Sequence, residues 1–261
     1  MKRERFRTMR EQTSEAATDI VYGKNPALEL IKDTNTQVNK IWLSENMQDR
    51  DLKEKIVLYA KEKKIPYVFV PNQKLDKLTN HQKHQGIVLS ISPINYLTID
   101  EVIKNKKIVL VAHEIEDTHN LGALIRTFVA GSGKGIILTG RSSVGINATV
   151  TKTSAGALFQ AELARATNCV NVLNKLKEND FWTVGTDNSK EAKSIYETKF
   201  PEKIAILIGN EHEGLPRLVK ENCDFLVKIP ISTKTDSLNV SVAFGIVLFE
   251  IIRQKQSLNI G

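Results

Sequence analysis

"IPISTKTDSLNVSVAFGIVLFEI", residues 229–251, passes from a short apolar run through a loop crowded with hydroxyls into a long apolar segment. The run through Ile231 reads as the end of a strand, and Asn239 to Gln254 reads as a helix. A strand handed to a helix through a polar loop is the repeating unit of a parallel α/β sheet. Ser237, Asn239 and the free backbone N–H groups of the first turn sit together where a helix starts, a place that favours a polar or anionic group.

The stretch upstream repeats the alternation. "KIVLVAHEI" (107–115), "GIILTG" (135–140), "FWTVGTD" (181–187), "KIAILIGNE" (203–211) and "DFLVKIPI" (224–231) read as strands, with helical patterns over "NLGALIRTFVAGSG" (120–133) and "VNVLNKLKEND" (170–180). The pattern predicts a largely parallel sheet covered on both faces, with ligands beyond the carboxyl ends of its strands. Three loops there carry chemistry. In "DTHNLGALIRT", Asn120 and Arg126 lie six residues apart, on nearly opposite sides of a continuous helix, so Asn120 is expected to cap the helix from the preceding loop. Helix capping and a surface ion pair are the plain structural roles for these two residues. In "LIGNEHEGLP", Gly209 allows close backbone approach and Glu211 stands in the turn. The third loop is 232–239. Two nucleotide motifs are excluded: in "AGSGKG" Gly135 stands where a phosphate-binding loop needs Ser or Thr, and no GxGxxG follows a strand.

Residues 19–93 form a smaller α/β pattern. Asn25-Pro26 is expected to cap and start a helix through Ile31, followed by "IWLS", the amphipathic "DLKEKIVLYAKEKK", "YVFV" and "GIVLSIS". His84 and Gln85, in the polar loop before the last of these strands, are expected to present hydrogen-bonding groups at a surface. His81 and His84 have metal-ligand spacing but lack a third ligand, so no metal is expected. Residues 94–106, with Pro93 just before them, read as a linker, and 107–261 as the second domain. Residues 1–18 read as a loose basic arm, with Arg3, Arg5 and Arg7 either touching phosphates or simply solvated.

With 261 residues, 41% of them hydrophobic, the chain can bury a full core. Lys and Arg exceed Asp and Glu by 37 to 30, a net charge of +7 that suits a polyanion or serves solubility alone. Two separated cysteines, Cys169 and Cys223, exclude a disulfide framework. Without an apolar leader or a spanning segment, the expected location is the cytoplasm.

"NLGALIRT", "ILIGNEHEGLP" and "IPISTKTDSLNVSVAFGIVLFE" together resemble, in order, the three motifs of the SpoU (TrmH) family of RNA ribose 2′-O-methyltransferases, in the SPOUT superfamily. "VYGKNPALELI" and "HQGIVLSIS" resemble the L30e-like substrate-binding module of members that modify guanosine in 23S rRNA. The resemblance implies a trefoil-knotted α/β methyltransferase domain, homodimers, and S-adenosylmethionine bound in the knot with no metal. The donor would lie against Gly209, Ile229 and Leu238, with Thr139 and Gly140 lining the same pocket. Asn120, Arg126, Glu211, Ser237 and Asn239 match the family's polar set. Arg126 is the family's proposed base, although a guanidinium titrates too high for easy proton abstraction and is equally suited to orienting the hydroxyl or a phosphate.

Thr233 departs from the glycine usual at that point of the third motif, and its Cβ narrows the backbone if φ is positive there. Donor binding is nevertheless expected to be retained. The expected reaction is methylation of a ribose 2′-hydroxyl in 23S rRNA. The alternatives are a tRNA ribose methyltransferase and a non-catalytic rRNA-binding assembly protein.

Overall fold

A computed structural model describes residues 19–232 and 237–257, and the chain divides after Ile94 into two compact units. The first unit contains β1 (Asp19–Tyr22), α1 (Lys24–Leu30), β2 (Val38–Ser44), α2 (Arg50–Glu62), β3 (Tyr67–Val70), α3 (Asn72–Leu78) and β4 (Ile87–Ile91). Its sheet runs β1-β4-β2-β3, antiparallel except for the β2/β3 pair. Ile41, Leu43, Ile56, Ile87 and Leu89 are fully buried, as alternating strands over an amphipathic helix require. The start of α1 differs from expectation: Gly23, at φ 97°, is the cap, and Asn25 and Pro26 lie inside the first turn. Proline fits there because its missing N–H has no helical acceptor.

The second unit contains α4 (Ile99–Ile103), β5 (Ile108–His113), α5 (Thr118–Ala130), β6 (Gly135–Thr139), α6 (Ala148–Thr153), a 3-10 turn (Ala157–Gln160), β7 (Glu162–Ala166), α7 (Cys169–Glu178), β8 (Trp182–Thr186), β9 (Lys193–Ser194), β10 (Ile204–Ile208), α8 (Arg217–Glu221), β11 (Phe225–Lys228) and α9 (Val240–Ser257). Residues 94–106, read as a linker, carry α4. Thr98 and Glu101 close a capping box at its start, and Val102 and Ile103 enter the core of this unit.

The sheet is parallel throughout, in the order β7-β6-β5-β10-β8-β11-β9. β5, β6 and β10 are buried along their whole length or nearly so, which explains their unbroken apolar sequences. The order reverses at β5: β6 and β7 extend to one side while β10 and β8 lie on the other. The carboxyl ends of β5 and β10 thus flank the switch point at which ligands bind in such sheets. The final helix packs on α5 through Phe128 and Phe244, both fully buried with ring centroids 6.0 Å apart.

Candidate active site

Three chain segments converge at the switch point. The loop after β5 leads into α5, whose cap is Asp117: its side chain accepts from Asn120 N at 2.8 Å. Asn120 is therefore the third helical residue and not the cap. The physical consequence is that its amide is free to face outward from the helix start. The second segment is the turn after β10, and the third is the start of α9, where Asn239 Oδ1 accepts from Ser241 N at 2.9 Å and Ser241 Oγ at 2.6 Å.

Those capping bonds fix the direction of the Asn239 amide, since its oxygen is committed to the helix. Its Nδ2 consequently points at the other two segments, donating to Asn120 Oδ1 at 3.1 Å and to Glu211 Oε1 at 3.1 Å. Asn120 Nδ2 also donates to Glu211 Oε1. Each of the three residues thus touches the other two. Among the described residues nothing bonds to Glu211 Oε2, so the carboxylate keeps acceptor capacity for an incoming hydroxyl.

A cavity of about 410 Å3 opens beside this cluster, lined by Gly209, Ile229, Ser237 and Leu238 as well as Asn210, Glu211, Ile231 and Val247. Its volume falls within the roughly 300–1,000 Å3 usual for small-molecule sites. Gly209 serves the chain itself: a Cβ there would meet the backbone of Gly214 and Leu215 at 2.3–2.5 Å, so the turn can close only over glycine. A smaller depression of about 70 Å3 shares Asn210, Glu211 and His212 with the cavity and is walled further by Ile115, Glu116, Asp117 and Asn120. Glu211 borders both.

Thr139 and Gly140 do not line the cavity. They end β6, which β5 separates from β10, and they pack into another network. Thr139 Oγ1 lies 3.0 Å from Nδ1 of His113, a ring whose burial lowers its pKa. Gly140, at φ 92°, leaves room for the Glu114 side chain. The cavity is lined instead by Thr186, Asp187 and Asn188, which the motif reading missed. The signal was present in "FWTVGTD", a strand end like the others. Asp187 Oδ1 pairs with Lys220 at 2.7 Å.

Arg126 is exposed on α5, about 9 Å along the helix from Asn120 and roughly 120° around it. It makes no ion pair among the described residues, and the structure does not bring it into the Asn120–Glu211–Asn239 cluster. In the first unit, His84 is buried: Nδ1 accepts from Gly86 N at 3.0 Å and Nε2 lies 3.0 Å from Asp76 Oδ1. A ring with both nitrogens engaged by its own chain presents nothing at the surface, contrary to expectation. Gln85 is exposed, with its Oε1 accepting from Lys24 N at the start of α1. Arg3, Arg5, Arg7 and Thr233 lie outside the described residues. Among those described, no three His, Cys, Asp or Glu residues are grouped to hold a metal, and no helix is long and apolar enough to cross a membrane.

The second unit is thus a parallel α/β unit with a ligand cavity and an amide–carboxylate cluster at its switch point, and the first is a small mixed α/β unit. Residues 107–249 match the model of the SpoU rRNA Methylase family, and residues 20–97 match that of RNA 2′-O ribose methyltransferase substrate binding. The chain belongs to the SpoU (TrmH) family of RNA methyltransferases. It is 38% identical over 244 residues to the putative TrmH family tRNA/rRNA methyltransferase YacO of Bacillus subtilis (strain 168), covering 91% of this chain and 96% of that protein. A putative TrmH family tRNA/rRNA methyltransferase of Staphylococcus haemolyticus is 34% identical, with 92% and 97% covered. Among solved structures, the SpoU methyltransferase AviRb from Streptomyces viridochromogenes, in complex with AdoMet, shares the fold at a TM-score of 0.79 and 20% identity, covering 93% of this chain and 92% of that one. An AdoMet-bound rRNA methyltransferase from Sinorhizobium meliloti does so at 0.78 and 20% identity, with 90% and 87% covered.

Proposed function

We propose that this protein transfers a methyl group from S-adenosylmethionine to a ribose 2′-hydroxyl of RNA, with a guanosine of 23S rRNA as its target. The observation that carries the reading is the Asn120–Glu211–Asn239 cluster, whose Glu211 lines both depressions, the larger of them sized for a donor. The larger cavity fits the donor chemically. Ile208, Ile229, Ile231 and Leu238 offer apolar walls for an adenine, while Asp187, Glu211 and Glu213 suit a cationic sulfonium and amino group. When bound, the donor would supply an electrophilic methyl whose C–S bond breaks as the C–O bond forms, leaving S-adenosylhomocysteine, with the hydroxyl proton passing to the Glu211 carboxylate or to water.

The chain's own residues then have defined tasks. Glu211 accepts a hydrogen bond from the 2′-hydroxyl through Oε2 and so orients its oxygen toward the cavity. Asn120 and Asn239 hold Glu211 in place, and Ser237, on the exposed edge, contacts the donor or the ribose. Arg126 orients the ribose hydroxyl or the phosphate of the reacting nucleotide. Placement of reacting groups of this kind supplies much of the rate acceleration. The exposed Val242 and Phe249, seven residues apart on α9, support the homodimer implied by the family. The likeness to the AdoMet-bound structures supports the trefoil knot and the donor. The substrate-binding match over 20–97 supports an RNA target. An RNA substrate supports the expected cytoplasmic location.

The test is transfer of labelled methyl from S-adenosylmethionine to unmodified rRNA and, separately, to tRNA, with mapping of the alkali-resistant linkage. Label at one guanosine of 23S rRNA is the expected result. Label confined to tRNA replaces the substrate assignment, and label in neither overturns the reading.

A further inference from the structure

Glu211 can act only if the turn that carries it is held against the segment that carries Asn120. One side chain ties the two. Asn210 Nδ2 donates to the backbone carbonyl of Glu114 at 3.0 Å and reaches Glu116 Oε1 at 3.3 Å, while its Oδ1 accepts from His212 N at 2.8 Å. Its backbone carbonyl accepts from Gly214 N at 2.9 Å and closes the turn. Among the described residues, the two bonds from Asn210 Nδ2 are the only side-chain hydrogen bonds between residues 114–117 and 209–214.

The anchor point is itself unusual. Glu114 is a non-glycine residue at φ 51°, a left-handed conformation that persists only where surrounding contacts hold it. Its N–H donates to the Thr139 carbonyl at 2.9 Å, and its side chain occupies the space that a Cβ on Gly140 would fill. Glu114 is therefore fixed from β6 on one side and by Asn210, next to β10, on the other. Thr139 and Gly140 have a role after all, as the rear support of this anchor.

We propose that Asn210 is a positioning residue for methyl transfer: its amide latches the Glu211 turn to the loop before α5 and so sets the contact between Glu211 and Asn120. This rests on the functional reading above and extends it to a residue with no assigned role. A misplacement of about 1 Å at such a contact lowers a rate on the order of 100-fold.

The experiment compares Asn210→Ala, Asn210→Asp, Glu211→Gln and the Asn210→Ala/Glu211→Gln double variant in single-turnover methyl transfer, with S-adenosylmethionine affinity measured by calorimetry. Asn210→Ala is expected to be about 10- to 100-fold slower at saturating donor. Asn210→Asp should be at least as slow, because a carboxylate cannot donate to Glu114 and faces Glu116. The double variant should be no more than about threefold slower than Glu211→Gln alone, since residues acting as one unit lose their function once. Asn210→Ala within twofold of the unmodified rate, a loss found wholly in donor affinity, or multiplying losses in the double variant would each overturn the proposal. Asn210→Ser replaces Asn210→Ala if the latter does not fold. A readout independent of activity is the NMR resonance of the Asn120 side-chain amide, which should move in Asn210→Ala; an unmoved resonance overturns the latch even if the chain transfers no methyl to any RNA tried.

Discussion

Asn239 Nδ2 stands 3.1 Å from Asn120 Oδ1, joining the start of α9 to the start of α5 across 119 residues of chain. The same asparagine caps α9, so its replacement has two separable effects. Asn239→Ala should slow single-turnover transfer about 10- to 100-fold and weaken the cap by about 1 kcal/mol. Asn239→Asp keeps the capping acceptor but turns an oxygen toward Glu211. It should therefore retain the melting temperature and still lose the rate, and a rate equal to the unmodified chain's would remove Asn239 from the site.

Arg126 is exposed and unpaired among the described residues, so its replacement should leave the fold intact. A planar fork that orients a phosphate or hydroxyl is not reproduced by an ammonium. Arg126→Lys is expected to lose at least about tenfold in single-turnover rate with unchanged thermal stability. Retention of most of the rate would make a specific guanidinium role untenable.

Gly209→Ala places a methyl 2.3 Å from the Gly214 carbonyl carbon, a contact that only backbone movement relieves. The turn it displaces forms one wall of the donor cavity. Calorimetry should show donor affinity falling at least about tenfold, with a loss of stability of about 1–3 kcal/mol. Unchanged affinity would separate the turn from donor binding.

Phe244 fills the contact between α9 and α5 with no exposed surface. Truncation to alanine leaves a cavity there and should cost about 3–5 kcal/mol in denaturant unfolding. A loss below about 1 kcal/mol would mean that the helix repacks freely.

Glu250, buried on α9, accepts two hydrogen bonds from the Arg253 guanidinium at 2.8 and 2.9 Å, and this donor lowers its carboxyl to about 2 against the opposing effect of burial. Because the folded value lies below the ordinary 4.5, the pair's stabilisation is fully present above that value and is lost as pH falls toward about 2. Glu250→Gln should therefore flatten the fall of melting temperature between about pH 5 and pH 2.5. An unchanged acid limb would show that the carboxyl is not linked to folding.

Much of this was legible in the chain because it rests on local pattern. Buried strands such as "IVLVA" and "IAILI" announce themselves through unbroken apolar residues, and Asn120, Glu211 and Asn239 each stand where an apolar element meets a polar turn. Short elements were less legible. The helix at Ile99–Ile103 has one buried pair and a capping box inside a charged stretch, so it read as linker, and α6 and β7 lack a clear period. His84 read as a surface group because nothing local shows that Asp76 and Gly86 N will occupy its ring.

By itself the sequence determined the strand and helix alternation, the parallel character of the second unit's sheet and the polar residues at its strand ends, since each follows from periodicity and side-chain type. Which ends become neighbours was decided only by tertiary structure. β10 inserts beside β5 while β6 lies on its other flank, and that order brings Glu211 to Asn120 across 91 residues while carrying Thr139 and Gly140 away from the cavity. Strand order depends on how whole faces pack and how loops cross over, long-range quantities that no short window of residues contains.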